Sequence, residues 1–303
     1  MPISPFGNPA SPQAAATAQL FRFVLALGAA VFAIVAGIII VAAIRFRHRP
    51  GQGDPAPDTG RPGIEVVWVG AAALLLLVIF VPTVSTMRAV DPPADRRLPD
   101  LVVTGHQWWW EVGYPGLGIL TANEIHLPVR RMFLVHLQSA DVIHDFWIPS
   151  LTRKMDMTPG HATDVWLEAD QPGVYLGACA EFCGVQHAWM RIRVIAEPEE
   201  AFAAWQQQQR QAPSPPRTPD AVVGASLYHE DTCANCHGTG IGPDLNHLAG
   251  RDTLAAGLMP NTPADLARWL KDPQAVKPGS LMPDFHLSDA DIQKLVAYLE
   301  TLR

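Results

Sequence analysis

The sequence predicts a multidomain membrane protein with a two-helix transmembrane hairpin, a β-sandwich and an all-α C-terminal domain. Three observations predict this fold class. Phe23–Ile44 and Val66–Met87 are uncharged apolar stretches of about 22 residues, and about 20 helical residues cross a bilayer. Short apolar runs separated by Gly, Pro and Asn follow Pro93, as in a small antiparallel β domain. Beyond residue 220, helix-capping signals replace this strand pattern.

Composition shifts divide the 303 residues into five segments. These are an N-terminal tail (1–19), the transmembrane hairpin (20–90), the β domain (91–205), a Pro/Gln-rich linker (206–219) and the helical domain (220–303). The linker reads QQQQRQAPSPPRTP, a low-complexity composition that is typical of a semi-extended tether. Such a tether keeps the two flanking domains at a high effective concentration.

The loop between the two apolar stretches carries Arg45, Arg47, Arg49 and Arg61. Short arginine-rich loops stay on the cytoplasmic side, so both chain ends are expected on the outer side of the membrane. A cleavable signal sequence is the alternative for the first stretch, but the tail lacks the basic region that such a signal needs. Neither stretch contains histidine, so a partner chain must ligate any haem within the bilayer.

Cysteine usage indicates cofactor binding. The four cysteines form two close pairs, Cys179 with Cys183 and Cys233 with Cys236, instead of a dispersed disulfide pattern. The formal net charge of -7 argues against nucleic acid as a partner and favours a basic protein surface.

The first cysteine pair lies in a segment rich in metal ligands. His144 comes about 35 residues before Cys179, and His187 and Met190 follow Cys183 in one loop. Thiolates select copper, imidazoles complement them, and a thioether supplies a weak axial bond. A second thiolate allows two coppers to share one electron. Structural zinc or a disulfide within the pair are the alternatives, but neither explains the whole ligand set.

Residues 20 to about 205 resemble subunit II of cytochrome c oxidase. The resemblance lies in four segments: GHQWWWE (105–111), HDFWIPS (144–150), KMD (154–156) and the loop from Cys179 to Met190. It implies a cupredoxin-like fold for the β domain. It also implies a membrane complex with an oxygen-reducing subunit I and with subunit III.

The resemblance further implies roles for single residues. A binuclear copper A centre would be bound by the side chains of His144, Cys179, Cys183, His187 and Met190 and by the backbone carbonyl of Glu181. The Glu181 carboxylate would then be available to magnesium at the subunit interface. Trp108 corresponds to the exposed tryptophan through which electrons reach copper, although such a tryptophan is otherwise most often a packing residue. Glu65 corresponds to a glutamate at the mouth of a proton-uptake path, and an interfacial cap is the alternative.

The second cysteine pair belongs to a C-x-x-C-H motif. Cys233 and Cys236 can form thioethers to haem vinyl groups, and His237 can bind the iron. Residues 220–303 resemble a small class I cytochrome c, with the motif between a first short helix and a final amphipathic helix. Met282 is the favoured sixth ligand because it lies just before the last helix, as in the family. The alternatives are Met259, His247 and His286.

Helix-capping residues predict the last two long helices. Thr262 followed by Pro263 marks the start of one, and Ser288 marks the start of the other. The final helix is predicted to place Ile292, Leu295, Val296 and Leu299 on one face.

These features together predict the electron-input subunit of a terminal haem-copper oxidase of the caa type. Electrons from a cytochrome c-type donor are expected to reach haem c, then copper A, then subunit I, coupled to proton translocation. The expected location is a bacterial inner membrane, with the copper and haem domains on the periplasmic side. The alternatives are the copper subunit of a nitric oxide reductase and a non-catalytic copper assembly or sensing protein.

Overall fold

The computed structural model describes residues 8–51, 53, 60–91, 98–230 and 233–303. Residues 8–14 and the described residues from 98 onward form one compact unit, and the described residues of 15–91 form a second. The predicted fold class is confirmed: two long apolar helices, a two-sheet β domain and a helical C-terminal domain.

The two long helices are α1 (Pro12–Arg45) and α2 (Pro62–Val90). Both are long and apolar enough to cross a membrane. α1 begins within the segment that the sequence predicts as a tail. The reason is local: Ser11 accepts a hydrogen bond from the Ala14 amide (3.0 Å), Pro12 occupies the first turn, and alanines follow.

The segment before α1 is bound to the β domain. The Ala10 amide donates to the Ser150 carbonyl (2.9 Å), and the Ser11 hydroxyl donates to the Leu151 carbonyl (2.6 Å). In the first turn of α1, the side-chain amide of Gln13 donates to the Trp166 carbonyl (2.6 Å). These contacts hold residues 8–14 on the same unit as the β domain.

Ten strands form the β domain, in two sheets with the orders β3-β2-β1-β5-β8 and β4-β10-β9-β6-β7. They are β1 (Leu101–His106), β2 (Trp109–Tyr114), β3 (Ile119–Ala122), β4 (Glu124–Pro128), β5 (Phe133–Ser139), β6 (His144–Trp147), β7 (Met155–Met157), β8 (Thr163–Leu167), β9 (Gly173–Cys179) and β10 (Arg191–Glu197).

Side-chain alternation explains the sandwich. In β10 the side chains of Ile192, Val194 and Ala196 are buried, while Arg191 is exposed and Arg193 is half-buried, so one face of the strand meets the core.

The sequence predicts an antiparallel β domain, but this prediction is wrong for two of the strand pairs. β1 pairs with β5 and β4 pairs with β10 in parallel, because the chain leaves each sheet and returns to it between those strands.

The linker prediction needs one correction. Helix α3 (Glu199–Gln209) continues into the predicted linker, because alanine and glutamine favour helix and Trp205 anchors the helix by stacking on His126 (4.3 Å between ring centroids). The residues between α3 and the next helix, 210–218, are named the tether below.

The C-terminal domain contains α4 (Pro219–Glu230), α5 (Cys233–His237), α6 (Pro263–Lys271), α7 (Pro273–Val276) and α8 (Asp289–Leu299), with a short hairpin of β11 (Thr253–Leu254) and β12 (Met259–Pro260). Both predicted caps are confirmed. Thr262 accepts from the Asp265 amide and Ser288 from the Asp291 amide, each at 3.1 Å. The four apolar residues predicted on one face of the last helix are all buried.

The α4–α8 contact makes a testable prediction at Gly224. A Cβ at this position would lie 2.0 Å from the Lys294 carbonyl oxygen and 2.9 Å from the Tyr298 Cβ. Gly224→Ala therefore forces two helix backbones apart, and we expect it to destabilise the domain by about 3 kcal/mol or more. Thermal unfolding followed by haem absorbance measures this. Val222→Ala, at an exposed site of the same helix, is the control. Equal melting temperatures for the two variants would contradict the packing.

Candidate functional site

The loop between β9 and β10 carries most of the predicted copper ligands. Cys179 ends β9, and its amide donates to the carbonyl of Met190 (3.0 Å), just before β10 begins. Strand pairing thus closes the base of the loop. His144 begins β6, which pairs with β9 through Phe146 and Cys179. The distant histidine is thereby brought to the mouth of the same loop.

The predicted ligand atoms form two neighbouring groups. His144 Nδ1 lies 3.8 Å from Cys179 Sγ, and the Glu181 carbonyl oxygen lies 3.2 Å from the same sulfur. His187 Nδ1 and Met190 Sδ lie 3.7 and 3.8 Å from Cys183 Sγ. Each sulfur therefore has its own imidazole and one further donor. The two sulfurs are 3.8 Å apart, so they can bridge two metal ions.

The donor chemistry fits copper better than the alternatives. The sulfur separation of 3.8 Å is far from the roughly 2.05 Å of a disulfide. A thioether and a peptide carbonyl are poor ligands for a structural zinc ion, which prefers thiolate and imidazole. His144 and Met190 have no exposed surface, and Cys179 and Cys183 are buried. Four buried side-chain donors, together with the half-buried His187 and the Glu181 carbonyl, therefore match a two-copper site.

The two thiols ionise unequally. A hydrogen bond from the Cys183 thiol lowers the pKa of Cys179 to about 3, despite burial. The same hydrogen bond raises the pKa of Cys183, and burial and the nearby Cys179 thiolate add to this. Cys179 is therefore the thiol that ionises more readily before metal binds. Binding through both sulfurs must release the Cys183 proton.

Neighbouring residues fix the ligand positions. His144 Nε2 lies 2.8 Å from the Asp141 carboxylate, which leaves Nδ1 to face the sulfurs. Only glycine fits at position 105, because a Cβ there would lie 2.8 Å from the His144 ring. Asp141 was not predicted from the sequence, although its spacing of three residues from His144 is a weak signal.

Trp108 contacts the backbone of the ligand loop directly. Its indole nitrogen donates to the Cys183 carbonyl (2.9 Å), and the Gln107 side-chain amide donates to the same oxygen (2.7 Å). A Cβ at Gly184 would lie 2.8 Å from the Trp108 ring, so the indole lies flush against the loop. Trp108 is half-buried, unlike the exposed tryptophan implied by the family resemblance, because the C-terminal domain lies over it.

An apolar cavity occupies the C-terminal domain at the C-x-x-C-H motif. Cys233, Cys236, His237 and Met282 all line it. Further lining residues from this domain include Tyr228, Leu245, Leu266, Leu270, Leu295 and Leu299. An apolar, sulfur-bearing cavity of this kind fits a covalently attached haem.

The histidine of the motif has the correct tautomer for iron. His237 Nδ1 lies 2.9 Å from the Pro243 carbonyl, which only accepts, so Nδ1 carries the proton and Nε2 is left to ligate. Burial lowers the pKa of His237 and favours the neutral ring. A Cβ at Gly242 would lie 3.1 Å from the imidazole, so this glycine lets the loop pass close to the ring.

The other candidates for the sixth iron ligand lie outside the cavity at the C-x-x-C-H motif. Met259 is buried in the hydrophobic core of the domain, beside residues such as Leu254 and Leu266. Met259, His247 and His286 are not among the described residues that line the cavity. Met282 is held in its loop by Gln274, whose side-chain amide donates to the Met282 carbonyl (3.0 Å). Among the four candidates, position favours Met282.

One wall of this cavity comes from the β domain. Gln107, Trp108, Trp109 and Asn123 line it together with the cysteine motif. Trp108, whose indole donates to the Cys183 carbonyl, is therefore also part of the wall of the cavity at the C-x-x-C-H motif. Sequence patterns do not predict this contact, since its two sides are more than a hundred residues apart.

Glu65 lies outside these two sites, and the side chain of Glu181 takes no part in the donor group that contains its carbonyl. Glu65 lies in the first turn of α2. The Glu181 side chain is exposed, and its carboxylate accepts a hydrogen bond from the Phe182 amide (3.2 Å). An exposed carboxylate beside the metal loop is accessible to an ion or a partner chain.

Family models match three parts of the chain. The transmembrane domain of cytochrome c oxidase subunit II matches residues 3–85, and its periplasmic domain matches residues 116–197. The cytochrome c family matches residues 221–303. The loop from Cys179 to Met190 lies in the second match, and the C-x-x-C-H motif lies in the third.

Curated relatives cover most of the chain. Cytochrome c oxidase subunit 2 of Alkalihalophilus pseudofirmus is 32% identical over 308 residues, which cover 98% of this chain and 90% of the relative. The subunit 2 of Bacillus sp. strain PS3 is 32% identical over 85% of this chain and 80% of its own length. The solved periplasmic domain of subunit II of cytochrome oxidase from Bradyrhizobium japonicum is 30% identical, covering 39% of this chain and 96% of that domain, with a TM-score of 0.37. The chain belongs to the cytochrome c oxidase subunit 2 family, and it carries a cytochrome c domain after the periplasmic domain.

Proposed function

We propose that this chain is the electron-input subunit of a proton-translocating haem-copper oxidase and carries a binuclear copper A centre and one haem c. Membership of the family makes it a component of an oxidoreductase and implies association with subunit I. The donor is a cytochrome c-type protein. The observation that carries the proposal is the place of Trp108, which lines the cysteine-bearing cavity and donates to the Cys183 carbonyl.

The proposed metal ligands follow from the two donor groups. The two coppers would be held by the six donors described above: the side chains of His144, Cys179, Cys183, His187 and Met190 and the backbone carbonyl of Glu181. When bound, each cofactor takes up and releases one electron at a time. His237 and Met282 would hold the haem iron, which would then transfer electrons without binding a substrate.

The protein surroundings suit electron transfer more than copper delivery. A copper assembly or sensing protein needs exchangeable metal, but His144, Cys179, Cys183 and Met190 are buried, and strand pairing of β6 with β9 fixes the backbone at His144 and Cys179. Because such ligands move little between redox states, the reorganisation energy of electron transfer stays small. The curated relatives are oxidase subunits, which favours oxygen over nitric oxide as the final acceptor.

The proposed topology places both chain ends and both cofactor domains outside the bacterial inner membrane. The arginine-rich loop supports it, since such loops remain cytoplasmic. The binding of residues 8–14 to the β domain also supports it, because the N-terminus and the β domain must then lie on one side. In this orientation Glu65 is at the cytoplasmic end of α2, as a proton-uptake role requires. Subunit III and an interface magnesium at Glu181 complete the proposed assembly.

Metal and haem analysis of the full chain tests the proposal. We expect two coppers and one covalent haem per purified chain, with an electron paramagnetic resonance signal of one electron shared by two copper nuclei. Co-expression with the partner subunits should give oxygen consumption with a reduced cytochrome c. Zinc, or a single cupric ion, in the purified chain would contradict the proposed centre even if haem were bound.

A further inference from the structure

Glu124 of the β domain is bound by the C-terminal domain. This β4 side chain is only 1% exposed. Its Oε2 accepts from the Asp252 amide (3.0 Å), and its Oε1 accepts from the Thr253 amide (2.9 Å) and hydroxyl (2.7 Å). Arg193 lies 4.0 Å away and supplies positive charge. Because the Glu124 carboxylate accepts from two consecutive backbone amides, it fixes both the distance and the orientation of the Asp252–Thr253 segment relative to the β domain.

The loop that follows these amides is shaped by the interface. Ala255, Ala256 and Gly257 all have positive φ (52°, 59° and 79°), a conformation that is strained for a residue with a side chain. The Ala256 side chain is buried against Trp109 and Ala122, and its carbonyl accepts from the Arg191 amide (3.2 Å). Contacts with the β domain thus hold two alanines in a conformation that they rarely adopt.

Lys277 makes the opposite contact, from the C-terminal domain to the β domain. It is 5% exposed, and its Nζ donates to the Trp108 carbonyl (3.1 Å) and the Ala255 carbonyl (3.4 Å). Burial lowers the pKa of Lys277 to about 8. The next turn also touches the ligand loop, because a Cβ at Gly279 would lie 2.8 Å from Val185.

We propose that Glu124 and Lys277 are positioning residues that lock the C-terminal domain onto the β domain, so that the cysteine-lined cavity always keeps Trp108 as its wall. The charges are reciprocal: each domain contributes one buried charged group that is hydrogen-bonded by the other. The haem domain is therefore a fixed relay, and the tether does not act as a swinging arm. This inference rests on the proposed function, because it concerns electron transfer between the two cofactors of that proposal.

The test uses the full chain loaded with haem and copper. In Glu124→Gln the new amide group places a donor against the Asp252 or Thr253 amide, and Lys277→Met removes both carbonyl contacts. Loss of charge-assisted hydrogen bonds of this kind is expected to shift the equilibrium between the docked and undocked C-terminal domain tenfold or more towards the undocked form. We expect electron transfer from photoreduced haem to copper to slow by about tenfold or more, with unchanged optical and paramagnetic spectra.

Matched controls use charged residues away from the interface. Glu199→Gln alters a β-domain carboxylate that pairs with Arg131, and Lys271→Met alters an exposed lysine that pairs with Asp289. Both should transfer electrons at the wild-type rate. A Gly/Ser insertion in the tether should leave the wild-type rate unchanged but slow Glu124→Gln further, since only an undocked domain depends on effective concentration.

Hydrogen exchange gives a readout that is independent of the cofactors. The amides of Asp252 and Thr253 should exchange at least about tenfold faster in Glu124→Gln than in wild type or Glu199→Gln. Wild-type transfer and exchange rates in both interface variants would overturn the fixed relay. Failure of the wild-type chain to bind two coppers would instead refute the proposed function, and the exchange measurement would still decide whether Glu124 holds the loop.

Discussion

Replacing Cys183 with serine is expected to abolish the mixed-valence copper signal while leaving the haem spectrum unchanged. Cys183 Sγ lies within 3.8 Å of three other donor atoms, those of Cys179, His187 and Met190. A serine hydroxyl is a hard, weakly acidic donor and cannot replace a bridging thiolate for copper. Without the second bridge the two coppers no longer share an electron. Copper content should fall from two ions per chain to one or none.

Cys236→Ser is the reciprocal control for this prediction. It removes one thioether from the haem motif but touches no atom of the ligand loop, so the copper signal should persist while covalent haem attachment is impaired. Metal analysis and paramagnetic resonance of both variants measure the difference. A mixed-valence signal that survives in Cys183→Ser would mean that the ligand set is wrong.

Short-range patterns carried most of what could be predicted. Four of the proposed side-chain copper ligands lie in the segment from Cys179 to Met190, so a single hairpin loop brings them together whatever the rest of the fold does. His144 is farther away in sequence, and its place depends on the pairing of β6 with β9. Helix caps such as Ser288 were predictable for the same reason, because their hydrogen bonds span only three residues.

Contacts between the two domains could not be predicted in this way. Lys277 and Trp108 are 169 positions apart, and Glu124 and Asp252 are 128 apart. A lysine before Pro-Gly or a glutamate at the start of a strand reads as an ordinary surface residue. Trp108 illustrates the consequence: the family pattern implies an exposed indole, but the added C-terminal domain covers it. The contacts of Trp108 with the C-terminal domain therefore become visible only when both domains are placed together.

Met282→Ala is expected to convert the haem from six-coordinate, low-spin iron to an open form and to lower its reduction potential. His/Met ligation raises the potential of a c-type haem, and removal of the thioether leaves one axial position for external ligands. Met282 is half-buried at the cavity wall and lies outside the tightly packed core, so the loss of packing should be small. Redox titration and carbon monoxide binding measure the change.

Met259→Ala is expected to reduce the stability of the domain without changing the haem spectrum. Comparison of the two variants therefore distinguishes an iron ligand from a packing residue. Met259 is 6% exposed within the core of the domain, and truncation of a buried methionine costs about 2–5 kcal/mol. This variant should melt at a lower temperature while keeping the wild-type spectrum and potential. Met282→Ala should show the spectral change with much less destabilisation of the protein core. If Met259→Ala opened the iron and Met282→Ala did not, the axial ligand would be Met259, and the loop from Pro278 to Pro283 would serve only to close the cavity.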